Sequence, residues 1–359
     1  MTSVASGSAR RTLASWLSSW WESLETSILT RELPHRLQDA LPPILTPYFT
    51  WRPTLLGERP IIRDQEMPRP TSSALPPLVL RLIGRFHCLL QAFSRYYCAW
   101  FGLPYRPWMA ELPFGLLLKW SDGTSISEVQ TMRAVRAAGF PAPRVISYGS
   151  HPDTPYAPVS ILMTRLPGVE LAEVFEEDDG LEDGQRETIT EELRVMLDAM
   201  RSWTAAPTTI KPISSITGGP IRSIRVANHT LGPFDDERQF TEYLLAPASA
   251  HSYDSTESFE RDLAMAKRLL NMPPHRIVFT HGDYALHNIL VHEGRVTGWI
   301  DWESAGWYPE YWEFTTPLRW ASTRPVWRGL LMWLGGAQYE AELESELAIR
   351  SLTVDAWAW

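Results

Sequence analysis

From Phe279 to Phe314 the chain reads FTHGDYALHNILVHEGRVTGWIDWESAGWYPEYWEF, and this stretch limits the possible folds more than any other. IVFT, ILV and VTGWI are apolar runs too short for helices. They are separated by Gly, Asp, Asn and Glu, the residues that end strands and build turns. Asp283 therefore follows one strand, Asn288 stands five residues on where a second begins, and Asp301 closes a third, thirteen residues beyond the asparagine. A carboxylate in a loop, an amide and a second carboxylate across a hairpin can converge on one magnesium ion and one reacting hydroxyl. Those are the parts that phosphoryl transfer needs.

Upstream, the texture changes near residue 108. Residues 1–107 read as a helical, proline-rich extension broken by segments such as ELPHRLQDALPPILTPYF. Phe114 to Trp120 then reads as a strand ending at Ser121-Asp122-Gly123. The next segment, SISEVQTMRAVRAAGF, spaces Ile126, Val129, Met132 and Val135 as a helix that stops at Gly139. PAPRVISYG and PVSILMTRLPG read as two more strands, the second breaking at Pro167-Gly168. Glu173 to Trp203 is acidic and helical, with Ile189, Leu193, Met196, Leu197 and Met200 on one face. ISSITGGPIRSIRV reads as a hairpin turning at Gly218-Gly219-Pro220, and Phe259 to Leu270 as a helix. The order implies an α+β chain with a small sheet lobe, residues 108–166 with a linker, and a larger helical lobe, residues 167–359. Ligands favour such seams.

Composition narrows the partners. With 44% hydrophobic and 21% charged residues the chain is globular rather than disordered. A formal charge of -9 and the lack of a basic stripe exclude a nucleic-acid partner. Cys88 and Cys98 have no partner pattern, which fits a reducing, cytoplasmic compartment. Residues 1–21 lack acids and carry Arg10 and Arg11, as mitochondrial transit peptides do, but also fit an ordinary amphipathic helix bearing Trp16, Trp20 and Trp21. Leu78 to Leu103 is the most apolar region. Arg81, Arg85, His87 and Arg95 interrupt it, so a packed or surface-lying helix is expected rather than a transmembrane span, and peripheral membrane contact through 78–103 stays open.

HGDYALHN followed by IDWE resembles the H-G-D-x-x-x-x-N and I-D-x-x signatures of the aminoglycoside phosphotransferase family, small-molecule kinases with a two-lobed protein-kinase-like fold. ELPFGLLLKWSDG, MTRLPG and AGWYPEYWEF further resemble its fungal kinase-like branch. The likeness runs from about Glu111 to the end of the chain. It implies transfer of a phosphoryl group from ATP, with Mg2+, to the hydroxyl of a small-molecule acceptor. By the same resemblance Asp283 is the catalytic base, and Asn288 and Asp301 are the magnesium ligands. Lys119 grips the α- and β-phosphates, Glu128 is its ion-pair partner, and Met163, Thr164 and Arg165 form the linker whose backbone meets adenine. His281 would fix the loop through hydrogen bonds.

The sequence departs from the pattern in two places. No G-x-G-x-x-G precedes Lys119, only Gly115, so the phosphate-covering loop is short or differently built. Thr164 stands where an acid is common. No A-P-E segment follows Asp301, which argues against a protein kinase. His281, His287 and His292 with Asp283 could be read as a hydrolase metal cluster, but strand alternation sends some to opposite faces and leaves Lys119 and Glu128 without a role. Glu303 could reach the metal or a cationic acceptor, or simply pair with an arginine. The acids from Glu173 to Asp183 could line a polyamine pocket, or form a solvated loop. A kinase-like protein that binds nucleotide without turnover is the alternative to an active enzyme.

Overall fold

The computed structural model describes residues 38, 40–68, 75–175, 180–205 and 212–356. The expected N-terminal helix around Trp16, Trp20 and Trp21, the transit-like residues 1–21 and the centre of the acidic run, 176–179, lie outside the described residues.

The smaller lobe is a four-stranded antiparallel sheet in the order β1 (Met109–Leu112), β2 (Leu116–Lys119), β4 (Val159–Thr164), β3 (Val145–Ser150). The expected strand from Phe114 starts later, at Leu116. Phe114 and Gly115 both take positive φ (66° and 58°) to close a three-residue turn between paired Leu112 and Leu116. That short turn stands where a long glycine-rich loop would be. It is covered by residues 44–51: the Phe114 N–H donates to the Ile44 carbonyl at 2.7 Å, and Trp51 Nε1 to the Phe114 carbonyl at 3.1 Å.

Helix α1 (Pro77–Trp100) lies across this sheet, against β3 and β1. Its buried side carries small and polar residues, Gly84, His87, Ser94, Tyr97 and Cys98. Gly84 permits the close approach, because a Cβ there would lie 2.4 Å from the Ser150 carbonyl oxygen. His87 bridges Ser160 Oγ at 2.7 Å and Ser147 Oγ at 2.9 Å, and burial, aided by nearby His151, pushes its pKa down to about 4. Leu78, Leu82, Phe86 and Leu89 face outward. Among the described residues no helix is long and apolar enough to cross a membrane.

Helix α2 (Ile126–Ala137), capped by Ser125 Oγ on the Glu128 N–H at 3.2 Å, buries Val129, Met132 and Val135 under the sheet lobe. After β4 the chain enters the larger lobe through β5 (Val169–Glu170), the short α3 (Leu171–Val174) and α4 (Asp183–Arg201). The expected hairpin at Gly218-Gly219-Pro220 does not form. The two runs join different sheets: β6 (Ser214–Ser215) pairs with β12 (Gly306–Pro309), whereas β7 (Ile221–Arg222) pairs with β8 (Thr230–Leu231). A glycine pair before proline makes the turn, but the partners are chosen by sheet edges elsewhere.

Helices α5 (Glu237–Leu245) and α6 (Thr256–Ala266) precede β9 (Ile277–Thr280), which pairs with β12. The hairpin β10 (Ile289–His292) and β11 (Arg295–Trp299) adds β5 at its edge. Helices α7 (Trp312–Leu318), α8 (Pro325–Leu334) and α9 (Glu340–Leu352) complete the lobe. The aromatic run around Trp312 packs into the core behind the loop after β9: Tyr308 and Trp312 stack at 5.6 Å, and Trp299, Trp302 and Trp312 are buried. The fold is thus of the two-lobed, kinase-like α+β class that the sequence implies.

Candidate active site

The cleft between the lobes has a volume of about 630 Å³ and is lined from above by Lys119, Met163 and Thr164, from below by Asn288 and Asp301. That size suits a nucleotide-scale ligand.

Lys119 is the last residue of β2 and lines the cleft. Its Nζ donates to Glu128 Oε1 at 2.9 Å, Asp301 Oδ1 at 2.7 Å and Glu303 Oε2 at 3.2 Å. Three parts of the chain therefore meet on one ammonium group. Burial alone would lower the lysine pKa, but the three carboxylates reverse that and hold it above the ordinary lysine range. Glu128 is 1% exposed. Burial, reinforced by Asp301 and Glu303 against the opposing pull of Lys119, pushes it up to about 7.

Asp301 follows β11 in the left-handed region, φ 63° and ψ 62°. This costs little for aspartate compared with other non-glycine residues, and it turns the carboxylate out of the strand and toward the cleft. Although burial opposes it, Lys119 lowers its pKa. Glu303, one of the ambiguous acids, also accepts from Arg222 Nε at 3.3 Å, and Arg222 reaches Asp122 at 3.1 Å. The Gly123 backbone sits so close to Glu303 that an added Cβ would lie 2.1 Å from Oε2.

The loop after β9 carries the second half of the site. Asn288 Nδ2 donates to the Asp283 carbonyl at 2.9 Å and to Asp283 Oδ2 at 3.0 Å, and its own carbonyl accepts from the Ile300 N–H at 2.9 Å. Gly282, at φ 82°, lets the loop press against Ser304, whose carbonyl oxygen would be 2.2 Å from a Cβ. His281 is buried and bonds the Ile300 carbonyl through Nε2 at 2.9 Å. Desolvation keeps its pKa low, so the neutral ring acts as a donor at that nitrogen.

Two residues that sequence reasoning missed hold this loop. Glu313, inside the aromatic run of α7, accepts from the His281 N–H at 2.6 Å and the Gly282 N–H at 3.2 Å, and burial pushes it up to about 7. Arg225 donates to Asp283 Oδ1 from Nε at 3.0 Å and again from Nη2. Neither lies in a pattern with a period, although two acids, Glu310 and Glu313, stand within the aromatic run WYPEYWEF.

The linker residues line the cleft, but the Thr164 N–H is committed to the Arg144 carbonyl at 3.0 Å and the Arg165 N–H to the Gly115 carbonyl at 2.7 Å. A base would have to use the neighbouring carbonyls or the Leu166 amide, which makes no hydrogen bond among the described residues. Arg165 itself pairs with Glu111 at 2.8 Å.

Among the described residues no three His, Cys, Asp or Glu side chains group as a self-sufficient metal site. The donor set at the cleft floor is one amide and carboxylate oxygens beside surplus negative charge. That suits a hard cation such as magnesium, which takes one or two protein ligands and leaves the rest to water and phosphate.

Residues 115–347, well over half of the chain, match the model of the phosphotransferase enzyme family. No curated protein sequence matches. Among solved structures, aminoglycoside phosphotransferase APH(4)-Ia is 19% identical, with 68% of this chain and 82% of that one covered at a TM-score of 0.45. Aminoglycoside-3'-phosphotransferase of type VIII is likewise 19% identical over 67% and 85%, TM-score 0.41. A point mutant of the aminoglycoside 2'-phosphotransferase-IIIa in its GDP complex is 13% identical over 67% and 81%, TM-score 0.44.

Proposed function

The chain belongs to the phosphotransferase enzyme family, and from that premise we propose that it moves the γ-phosphoryl group of ATP to a hydroxyl of a small molecule. The observation that carries the reading is the meeting of Lys119 with Glu128 and Asp301 at 2.9 and 2.7 Å in the seam between the lobes. Lys119, fixed and kept charged by Glu128, binds the α- and β-phosphates. Asp283, held in place by Asn288, orients the acceptor hydroxyl and takes its proton. Asn288 Oδ1 and the Asp301 carboxylate would hold Mg2+. Bound there, the ion neutralises phosphate charge. Adenine packs against Met163 and meets backbone groups of Thr164, Arg165 and Leu166. In this reading residues 108–166 are the smaller lobe with its linker, 167–359 the larger lobe, and 1–107 an added extension whose α1 braces the sheet.

The decisive experiment incubates purified protein with γ-labelled ATP, magnesium and a metabolite library, beside an Asp301→Ala control. A labelled small molecule that appears only with the unaltered protein supports the proposal; equal labelling by both refutes it. A second reading, nucleotide binding without turnover, is favoured by one contact, the Arg225 guanidinium on Asp283. ATP-dependent stabilisation with no product across the whole library would select it.

We also propose a cytoplasmic location, for which free Cys88 and Cys98 argue, and a peripheral contact with membranes through α1. Its outward Leu78, Leu82, Phe86 and Leu89 lie beside exposed Arg81 and Arg85. Flotation with anionic liposomes that is undiminished by Leu82→Asp plus Phe86→Asp would remove that contact.

A further inference from the structure

Resting on the phosphotransferase reading, we infer that the acceptor is an anionic molecule with a flat apolar part, and that Arg225 recognises its anion. Behind the loop that carries Asp283 lies a second cavity of about 180 Å³. His287, in the catalytic loop, lines both this cavity and the nucleotide cleft, so the two spaces lie on either side of that residue. Their linings have opposite character. The cleft is rich in carboxylates, among them Glu128, Asp301 and Glu303, whereas the second cavity is lined by Arg225, Arg324, His287, Trp320 and Trp327 and by no Asp or Glu among the described residues. A cationic acceptor would meet Arg225 in that lining and, among the described residues, no carboxylate. A carboxylate or phosphate would find in Arg225 a planar donor suited to bidentate bonding, with indole rings in the same lining for an apolar part.

The Arg225–Asp283 contact connects this specificity with the reaction. Both side chains are largely buried, 14% and 9% exposed. Arg225 holds Oδ1 of Asp283 while Asn288 holds Oδ2, so neither carboxylate oxygen is left without a donor. A buried guanidinium needs an anion in every state, because leaving it uncompensated is strongly unfavourable. An entering anionic group can take over Arg225 and free Oδ1 for the acceptor hydroxyl. A neutral or cationic molecule cannot make that exchange, and the pair stays closed. Arg225 is thus a positioning and specificity residue whose release of Asp283 is coupled to the charge of the acceptor.

The test uses matched sets of aromatic alcohols, each as the carboxylate, the primary amide and the amine, beginning with 4-(hydroxymethyl)benzoate, its amide and 4-(hydroxymethyl)benzylamine. Binding to the full chain is measured by calorimetry without nucleotide, and phosphate transfer is then measured after adding ATP and magnesium. Carboxylates should bind at least about tenfold more tightly than their amides, and amines least. Arg225→Gln should erase the ranking. Because that variant leaves Asp283 unpaired and could misfold, Arg324→Gln, outside the pair, should independently reduce the carboxylate advantage several-fold. Equal binding within every set, or a preference for amines, overturns the inference even if transfer occurs. Carboxylate preference without any transfer sustains the anion-binding cavity and overturns instead the phosphotransferase reading.

Discussion

The ion pairs of the cleft and those of the helical lobe are balanced differently. In the cleft, Lys119 and Arg222 face Glu128, Asp301, Glu303 and Asp122, two cations against four carboxylates. In the helical lobe Arg319 faces Glu346 at 3.5 Å, both essentially buried, and Arg295 faces Glu192, which also accepts the Val296 N–H at 2.7 Å. His275 lies between Glu237 at 2.8 Å and Glu342 at 3.0 Å, and its hydrogen bonds to them hold its pKa above the ordinary histidine value. Charges removed from water are costly unless matched. Arg319 with Glu346 and Arg295 with Glu192 meet that requirement one to one. The surplus at the cleft is of the size that one divalent cation would remove, as the proposed function requires.

The sharpest way to break this comparison is to remove one surplus charge. Asp301→Asn should lower phosphoryl transfer about a thousandfold or more, roughly 4 kcal/mol of barrier, while leaving the midpoint of thermal unfolding unchanged or higher. If it instead unfolds the protein, the cleft carboxylates are structural and the distinction fails. Glu346→Ala should behave in the opposite way. It strands Arg319 in the core and should cost about 3–5 kcal/mol in denaturant titrations, whereas Arg319→Met with Glu346→Leu should recover most of that loss.

A smaller effect follows from Glu128, which in the folded chain protonates near pH 7 rather than at the usual carboxylate pKa. A folded pKa raised above the unfolded one gives stability that is fully present below about pH 4.5 and is lost as pH rises through about 7. The loss amounts to roughly 3 kcal/mol at most. Glu128→Gln should flatten the stability curve over that window. Glu313 has the same sign and the same window, so Glu313→Gln is the control that separates a cleft carboxylate from one clamping the loop.

The two halves of the site were not equally legible in the sequence. Asp283, Asn288 and Asp301 could be placed because strands alternate with period two and short apolar runs fix where each strand ends. Lys119 and Glu128 are paired through the family resemblance, the spacing itself showing only the strand that carries one and the helix that carries the other. Arg225 could not be found in this way. It sits in an irregular segment between the two-residue strands β7 and β8, and its contact with Asp283 depends on how 58 residues of chain return to the loop. The expected hairpin at Gly218-Gly219-Pro220 failed for the same reason, since turn residues specify a bend and not the partner of the strand that follows it. Helix α1 is expected to be packed or surface-lying, and the sequence does not say by which side: Gly84, His87 and Ser94 face the sheet, where close approach and two serine partners hold His87, and Leu78, Leu82, Phe86 and Leu89 face outward.

The weakest expected effect also tests the origin of the surplus. Magnesium alone, without nucleotide, should stabilise the protein slightly, because two protein oxygens without phosphates make a low-affinity site. At ten times its dissociation constant the gain is about 1.4 kcal/mol, a few degrees in unfolding midpoint. The shift should be larger at pH 8 than at pH 6. At pH 6 Glu128 already carries a proton and the cleft holds one surplus negative charge fewer, whereas at pH 8 that charge has returned and only a cation relieves it. Scanning calorimetry with and without magnesium at the two pH values measures the difference, with calcium as a comparison for ion size. Asp301→Asn should abolish the shift at both. An equal shift at both pH values, or one that survives in Asp301→Asn, would mean that the ion binds elsewhere and that the cleft charges do not form a cation site.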